Sequence, residues 1–147
     1  MTIIENKKFI ELSLCMLIIS LIIPGYLFAE DSLSGQTMAT YVVDGTIDVN
    51  NMIEYSGKIH AMAVKVALPD GVEFVSVSGA YPPAIAPKNG DTGLLEFAWV
   101  MTPPSPFQFA YTVNNNDNIS GEIMTEVIYR RTGKALYEKL APVSVKK

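Results

Sequence analysis

Cysteine and histidine are nearly absent from this sequence of 147 residues, which contains one of each. Cys15 falls within an N-terminal apolar stretch, so the rest of the chain has no cysteine and cannot form a disulfide. His60 is the single histidine, and no serine stands in a G-x-S-x-G motif. The usual parts of a nucleophilic catalytic site are therefore missing, and we expect a protein that is not an enzyme.

Patterns for metal binding and for paired carboxylates are also lacking. The stretch 114–126 begins with alternating asparagines, but Ile119 and Thr125 occupy the places where a calcium loop needs Gly and Glu. Most acidic residues fall at predicted turns or at outward strand positions, where a solvated surface accounts for them: Asp70, Asp91, Asp117, Glu96 and Glu126. The sequence therefore predicts no metal and no cofactor.

The sequence has neither a basic stripe nor a hydrophobic run long enough to span a membrane. Its net charge is −4 with the two signs interspersed, which argues against a nucleic-acid partner. The apolar run 12–23 follows two lysines and ends at Pro24, and it is shorter than the roughly 20 residues of a membrane span. This pattern is typical of a secretory signal peptide at 1–29 with cleavage after Ala29; an uncleaved membrane anchor is the alternative. We expect export to the periplasm, the cell surface or the exterior, with no membrane attachment after cleavage.

Short runs rich in Val, Ile, Phe, Tyr and Thr recur beyond residue 37, separated by turn residues. After a polar stretch at 30–37, which we expect to be a flexible lead-in, the runs lie at 38–43, 46–55, 60–68, 73–78, 94–100, 107–113, 121–130 and 134–145. Strands spaced by roughly ten residues are typical of a sandwich or barrel. The sequence therefore predicts a single all-β domain at 38–147, an antiparallel β-sandwich of about seven to nine strands.

Alternation along these runs indicates which side chains face the core. Leu95, Phe97 and Trp99 share one face of their run, and Glu96 lies on the other. Large aromatic residues on an apolar face usually fill the interior. We therefore expect Trp99, the single tryptophan, to be a core residue.

Tyr81 lies in the proline-rich segment "SGAYPPAIAPKNG" at 78–90, between two predicted strands. Prolines at 82, 83 and 87 restrict the backbone around it. One interpretation is a connector that crosses between the sheets, with Tyr81 over the end of the sandwich. The other is that Tyr81 stands exposed on a stiff loop and supplies the main apolar contact to a ligand.

The stretches "VALPDGVEFVSVSG", "GDTGLLEFAWV" and "PSPFQFAYTV" carry a family resemblance. Residues 56–131, which contain them, resemble the cohesin and cellulose-binding β-sandwich modules, or carbohydrate-binding modules, of secreted bacterial proteins. The resemblance implies an immunoglobulin-like topology and an extracellular setting. It supplies no binding residues, because such sandwiches carry many functions.

Three functional hypotheses follow from these observations. The first is a secreted, non-catalytic recognition or adhesion module at the bacterial cell surface, which binds a polysaccharide or an extracellular protein and uses Tyr81. The second is a structural subunit of a surface layer or fibre that assembles through sheet edges. The third is a small hydrolase, which the missing nucleophile makes the weakest of the three.

Overall fold

A computed structural model describes residues 31–42 and 44–145. The predicted signal peptide at 1–29 and its cleavage site lie outside the described residues. No helix in the described part of the chain is long and apolar enough to cross a membrane. The strands of that part are β1 (Leu33–Tyr41), β2 (Thr46–Tyr55), β3 (Ala61–Ala67), β4 (Glu73–Ser78), β5 (Leu94–Trp99), β6 (Phe107–Asn114), β7 (Glu122–Arg130), β8 (Ala135–Lys139) and β9 (Val143–Ser144).

The strands form two antiparallel sheets. Sheet A has the order β1-β2-β6-β4, and sheet B has the order β5-β3-β7-β8, with β9 pairing to the start of β7. Consecutive strands repeatedly change sheet, as β2 to β3 and β4 to β5 do. The predicted all-β, immunoglobulin-like sandwich of seven to nine strands is therefore confirmed.

Buried side chains alternate with more exposed ones along β3, β6 and β7, and the buried ones fill the space between the sheets. The rings of Phe97 and Tyr111 stack across the two sheets with centroids 5.4 Å apart, and Trp99 packs edge-on against Phe109 at 5.1 Å. Such aromatic pairs add stability beyond the area that they bury. Trp99 is 7% exposed, so the prediction that it belongs to the core is confirmed.

The first strand begins earlier than the sequence predicts. β1 starts at Leu33, so residues 33–37 of the expected lead-in are strand residues paired to β2. Gly35 and Thr37 fill inward positions where apolar residues would have given an alternating pattern, which is why the sequence conceals the first half of this strand. Thr37 is buried, and its hydroxyl donates to Asn51 Oδ1 over 2.9 Å.

Arg131 ties the start of β1 to the rest of the sandwich. Its buried guanidinium donates from Nη2 to the carbonyl of Ser32 over 2.7 Å and from Nη1 to the carbonyl of Ser56. Asp31 lies 3.6 Å from Nη1, and the ring of Tyr129 lies 5.5 Å below the guanidinium carbon. Arg131 therefore joins three chain segments that are distant in sequence.

Candidate functional site

Tyr81 lies at the start of the long connection between β4 and β5, where its main chain is fixed by the core. The indole nitrogen of Trp99 donates to the carbonyl of Tyr81 over 2.8 Å. Two residues earlier, Gly79 has a φ of 140° and packs against the backbone of β6, where a side chain would lie 3.1 Å from the Gln108 carbonyl. The buried tryptophan therefore positions the loop that carries Tyr81.

The Tyr81 side chain borders a groove on the outer face of sheet A. The ring is 41% exposed, so it is neither buried under the sandwich end nor free in solvent. The groove has a volume of about 500 Å³, with Met52 among its apolar lining and the amides of Asn50 and Gln108 among its polar lining. Such a surface can hold a small polar ligand that has one apolar face. Binding by Tyr81 remains a prediction.

The segment 84–92 runs beside the edge of β4 and occupies it. Gly90 donates its amide to the carbonyl of Phe74, and the Phe74 amide donates to the carbonyl of Asp91, each over 2.8 Å. The register of β4 on β6 shifts at Val75, and the side-chain amide of Asn89 donates to the Val75 carbonyl over 3.0 Å. The edge of sheet A on this side therefore has its backbone groups partly satisfied from within the chain.

The same segment also occupies the edge of β5 in the other sheet. The amide of Ala84 donates to the carbonyl of Ala98 over 2.8 Å, and the Ala98 amide donates to the carbonyl of Ile85 over 2.9 Å. The connection therefore crosses between the sheets, as the first interpretation of this segment expected. We call this side of the sandwich, formed by β4, β5 and the segment 84–92, the covered side.

The opposite side, formed by β1 and β8, is the open side. Among the described strands, β1 pairs with β2 alone, and β8 pairs with β7 alone. The amide of Ser56 bonds to Ser32 and that of Val42 bonds to Thr46, so the even-numbered residues of β1 direct their backbone groups towards β2.

The outward backbone groups of β1 belong to its odd-numbered residues, including Gly35, Thr37 and Ala39. No backbone partner within the described ranges is recorded for these three. A Cβ at Gly35 would lie 2.9 Å from the Met52 carbonyl and 3.0 Å from the Leu140 side chain, so the interior side of this position is closely packed. Sequence reasoning predicted a strand only from residue 38 onward and missed the first half of β1, whose inward positions include Gly35 and Thr37.

Side chains that could carry chemistry are scattered. His60 is exposed, and its backbone amide pairs with Arg130 at the start of β3. Asp70, Asp91 and Asp117 are exposed in turns, as expected. Across residues 31–42 and 44–145, no group of three or more His, Cys, Asp or Glu side chains could hold a metal ion.

The asparagine-rich stretch after β6 builds a turn. The side chain of Asn115 accepts from the Ile119 amide over 2.8 Å and donates to the carbonyls of Ile119 and Val145. Asn118 takes a positive φ of 50°, a conformation that asparagine tolerates well. These amides are engaged in organising the backbone, which agrees with the turn that the sequence predicts.

Two tyrosines have shifted ionisation. Burial raises the pKa of the Tyr111 phenol far above its ordinary value of 10.0, and the neighbouring Thr125 hydroxyl partly opposes this. Burial also raises the pKa of Tyr55, with the charge of Arg131 opposing it. Both phenols stay neutral at physiological pH. Tyr111 packs in the core, and Tyr55 donates to the carbonyl of Pro103 at the end of the sandwich.

The comparisons with known proteins define a fold class. The sequence matches no protein-family model and no curated protein. The fold is similar to that of the full-length major pilin SpaD from Corynebacterium diphtheriae, with a TM-score of 0.60 and 10% sequence identity. That match covers 77% of this chain and 35% of the pilin, so this chain spans about a third of the pilin's length.

A second solved structure is a DUF4466 family protein from Parabacteroides merdae, with a TM-score of 0.45 and 13% identity over 78% of this chain and 44% of that one. The likeness to the pilin, at 10% identity, shows a shared β-sandwich fold alone. The comparisons do not confirm the specific resemblance to cohesins and carbohydrate-binding modules.

Proposed function

We propose that this protein is an exported, non-catalytic structural subunit of a bacterial surface layer or fibre, and that its copies pair through the open edge of β1. The observation that carries the proposal is the difference between the two sides. The segment 84–92 bonds to both strand edges on the covered side, whereas Gly35, Thr37 and Ala39 of β1 direct their backbone groups away from β2. An accessible strand edge is a template for pairing with another chain.

The geometry favours a second β1 as the partner. Antiparallel pairing centred on Thr37 would place Gly35 opposite Ala39 of the second copy and use the backbone groups of all three positions. The result would be one continuous sheet of eight strands, four from each sheet A. The side chains of Gly35, Thr37 and Ala39 are small and face the interior of the sandwich, so they do not stand between the two edges.

The likeness to the major pilin supports this proposal at the level of the fold. A β-sandwich of this kind occurs in a protein that its structure describes as a major pilin. Fold alone does not determine function. The pilin likeness therefore adds to the argument from the strand edges and does not replace it.

A proline at residue 39 tests the pairing directly. Ala39→Pro removes an outward amide that β2 does not use, and edge strands accept proline at such positions. We expect the purified wild-type protein to assemble as its concentration rises, and Ala39→Pro to assemble much less. Ala39→Ser, which keeps the amide, is the matched control and should behave as wild type. Equal assembly of all three chains in sedimentation velocity would exclude pairing through β1.

Recognition of a polysaccharide or of an extracellular protein at Tyr81 is the second candidate function. The groove favours it, since Tyr81 adjoins an apolar floor with the amides of Asn50 and Gln108. A glycan array probed with wild type and with Tyr81→Ala tests this function separately. Binding that depends on Tyr81 would support recognition, whereas an array without hits would leave the structural role as the better account.

A further inference from the structure

The outer face of sheet B carries a row of four charged side chains. The strand registers place Lys65 of β3 opposite Glu96 of β5 on one side and opposite Glu126 of β7 on the other. Glu126 in turn lies opposite Lys139 of β8. Across the sheet the signs therefore alternate: negative, positive, negative, positive. We call these four residues the charge row.

The rows above and below the charge row are apolar. One consists of Ala98, Ala63, Ile128 and Tyr137, and the other of Leu94, Ala67 and Met124. All are exposed or half-buried, with Leu94 66%, Met124 60% and Tyr137 61% exposed. The residues Leu94, Ala67 and Met124 line a groove of about 550 Å³. Exposed apolar side chains gathered on one sheet face next to charged ones are typical of an interaction site.

The outer face of sheet A differs, although it belongs to the same kind of antiparallel sheet. Its exposed or half-buried positions are largely polar and include Ser34, Gln36, Asn50, Gln108 and Thr112. A sheet face that meets only water is usually polar in this way. The apolar rows of sheet B therefore need an explanation other than the stability of the sheet.

We propose that the outer face of sheet B binds the same face of a second copy of this chain, about a two-fold axis parallel to the strands. Such an axis keeps each row at its own level and reverses the order of the strands. β3 then faces β7 of the second copy, and β5 faces β8. Lys65 meets Glu126 of the second copy, and Glu96 meets Lys139 of the second copy. All four facing pairs have opposite signs.

The same axis pairs small side chains with large ones in the apolar rows. Ala63 faces Ile128 of the second copy, Ala67 faces Met124, and Ala98 faces Tyr137. Ile128, Met124 and Tyr137 thus each meet the depression left by an alanine, as close packing between two sheets requires, whereas Leu94 has no alanine opposite it. The pairing of opposite charges and the pairing of small with large side chains therefore favour the same two-fold arrangement. Such an interface is isologous, with the same patch used by both copies.

The area of the outer face of sheet B indicates how tightly two copies should bind. Four strands about 4.8 Å apart and seven residues about 3.3 Å apart cover roughly 19 by 23 Å in projection, or on the order of 400 Å². Stable interfaces bury roughly 800 Å² of accessible surface per partner, and weak ones fall below about 600 Å². We therefore expect a dissociation constant in the micromolar range. The surface lies on sheet B, so this inference holds independently of pairing through β1.

Alternating charges would also stabilise sheet B within a single copy, since cross-strand pairs of opposite sign attract. A mixing experiment separates the two effects. Lys65→Glu places a negative charge against Glu126 of the second copy, and Glu126→Lys places a positive charge against Lys65. Each variant repels itself across the interface. In a mixture of the two variants every facing pair is again opposite in sign, while each chain keeps its like-charged neighbours within its own sheet.

The measurement is sedimentation velocity at low and physiological salt, in the Ala39→Pro chain so that β1 does not contribute. We expect each single variant to weaken dimerisation about ten-fold or more, and the mixture to recover dimers to within about three-fold of the unmutated face. Higher salt should reduce both effects. Lys58→Glu and Glu54→Lys make the same charge changes elsewhere on the surface and should leave dimerisation unchanged.

A second pair of variants repeats the test at other positions, in case a variant of the first pair does not fold. Glu96→Lys and Lys139→Glu follow the same rule on the outer strands β5 and β8, and their mixture should also recover dimers. A wild-type face that stays monomeric at millimolar concentration would overturn the inference. So would mixtures of both variant pairs that dimerise no better than the single variants, because this would mean that the charges act within one sheet.

Discussion

The two sides of the sandwich differ in whether the chain itself supplies hydrogen-bond partners to the edge strands. On the covered side, the segment 84–92 bonds to β4 in one sheet and to β5 in the other, with the Tyr81 carbonyl held by Trp99. On the open side, Gly35, Thr37 and Ala39 of β1 direct their backbone groups away from β2, while Arg131 anchors the beginning of the strand and the Tyr41 hydroxyl donates to the Ser144 carbonyl near its end. Since unprotected edges promote association, natural monomers usually cover or charge them. This difference is the basis for the proposed pairing through β1.

Trp99→Ala should damage the covered side most. The change removes a core aromatic ring and the donor that holds the Tyr81 carbonyl, and such truncations cost about 3–5 kcal/mol. We expect a large fall in the free energy of unfolding, measured by urea denaturation. Trp99→Phe keeps most of the packing and loses the donor, so it should cost less while loosening the loop. A Trp99→Ala chain as stable as wild type would refute the role of Trp99 in the core.

Arg131→Met tests how the open side is anchored. The variant keeps an apolar stem but leaves the carbonyls of Ser32 and Ser56 without their charged donor, which we expect to cost about 2–3 kcal/mol. Arg130→Ala, at the exposed neighbouring position, should stay within about 0.5 kcal/mol of wild type. Denaturation gives the free energies. Equal effects at both positions would contradict a specific anchor at Arg131.

Alkaline pH should weaken the core that the two sides share. Because the pKa of Tyr111 is raised in the folded protein, its contribution is fully present below the unfolded value of 10.0 and is lost as pH rises above it. The loss is at most about 1.4 kcal/mol for each pH unit. Tyr111→Phe has no ionisable hydroxyl, so its free energy of unfolding should fall less than that of wild type above pH 10.0. Parallel pH curves for the two chains would contradict this.

Tyr81→Ala should have a smaller effect on the covered side. The ring is more than half covered, which corresponds to about 1 kcal/mol of stability by the area that it buries. Ile85→Ala, a more exposed position of the same segment, should change stability by less than about 0.5 kcal/mol. A loss of several kcal/mol for Tyr81→Ala would mean that the ring caps the core, and the recognition hypothesis would then be abandoned.

The sequence predicted the interior of this fold better than its edges. The alternation of Leu95, Phe97 and Trp99 indicated the core face of β5, because burial leaves a local signal in each strand. The first half of β1 left no such signal, since Gly35 and Thr37 fill its inward positions. Edges depend on contacts between segments far apart in sequence, and no local pattern reports them.

The groove beside Tyr81 and the charge row could not be predicted either, because each combines residues from several strands. The sequence drew attention to Tyr81, but the groove beside it is completed by residues of β2 and β6. The charge row contains residues from four strands, and its order depends on three strand registers. In the sequence, Glu96 and Glu126 were readable as acidic residues on outward strand positions, and their alignment with Lys65 became visible only in the assembled sheet.

Amide hydrogen exchange along β1 tests the central claim most directly. In dilute protein, the amides of Gly35, Thr37 and Ala39 should exchange fast, while those of Gln36 and Met38, which face β2, should be protected. At high concentration the odd-numbered amides should become protected as copies pair through β1. Protection of the odd-numbered amides already in dilute monomer, or none gained at high concentration, would contradict the account.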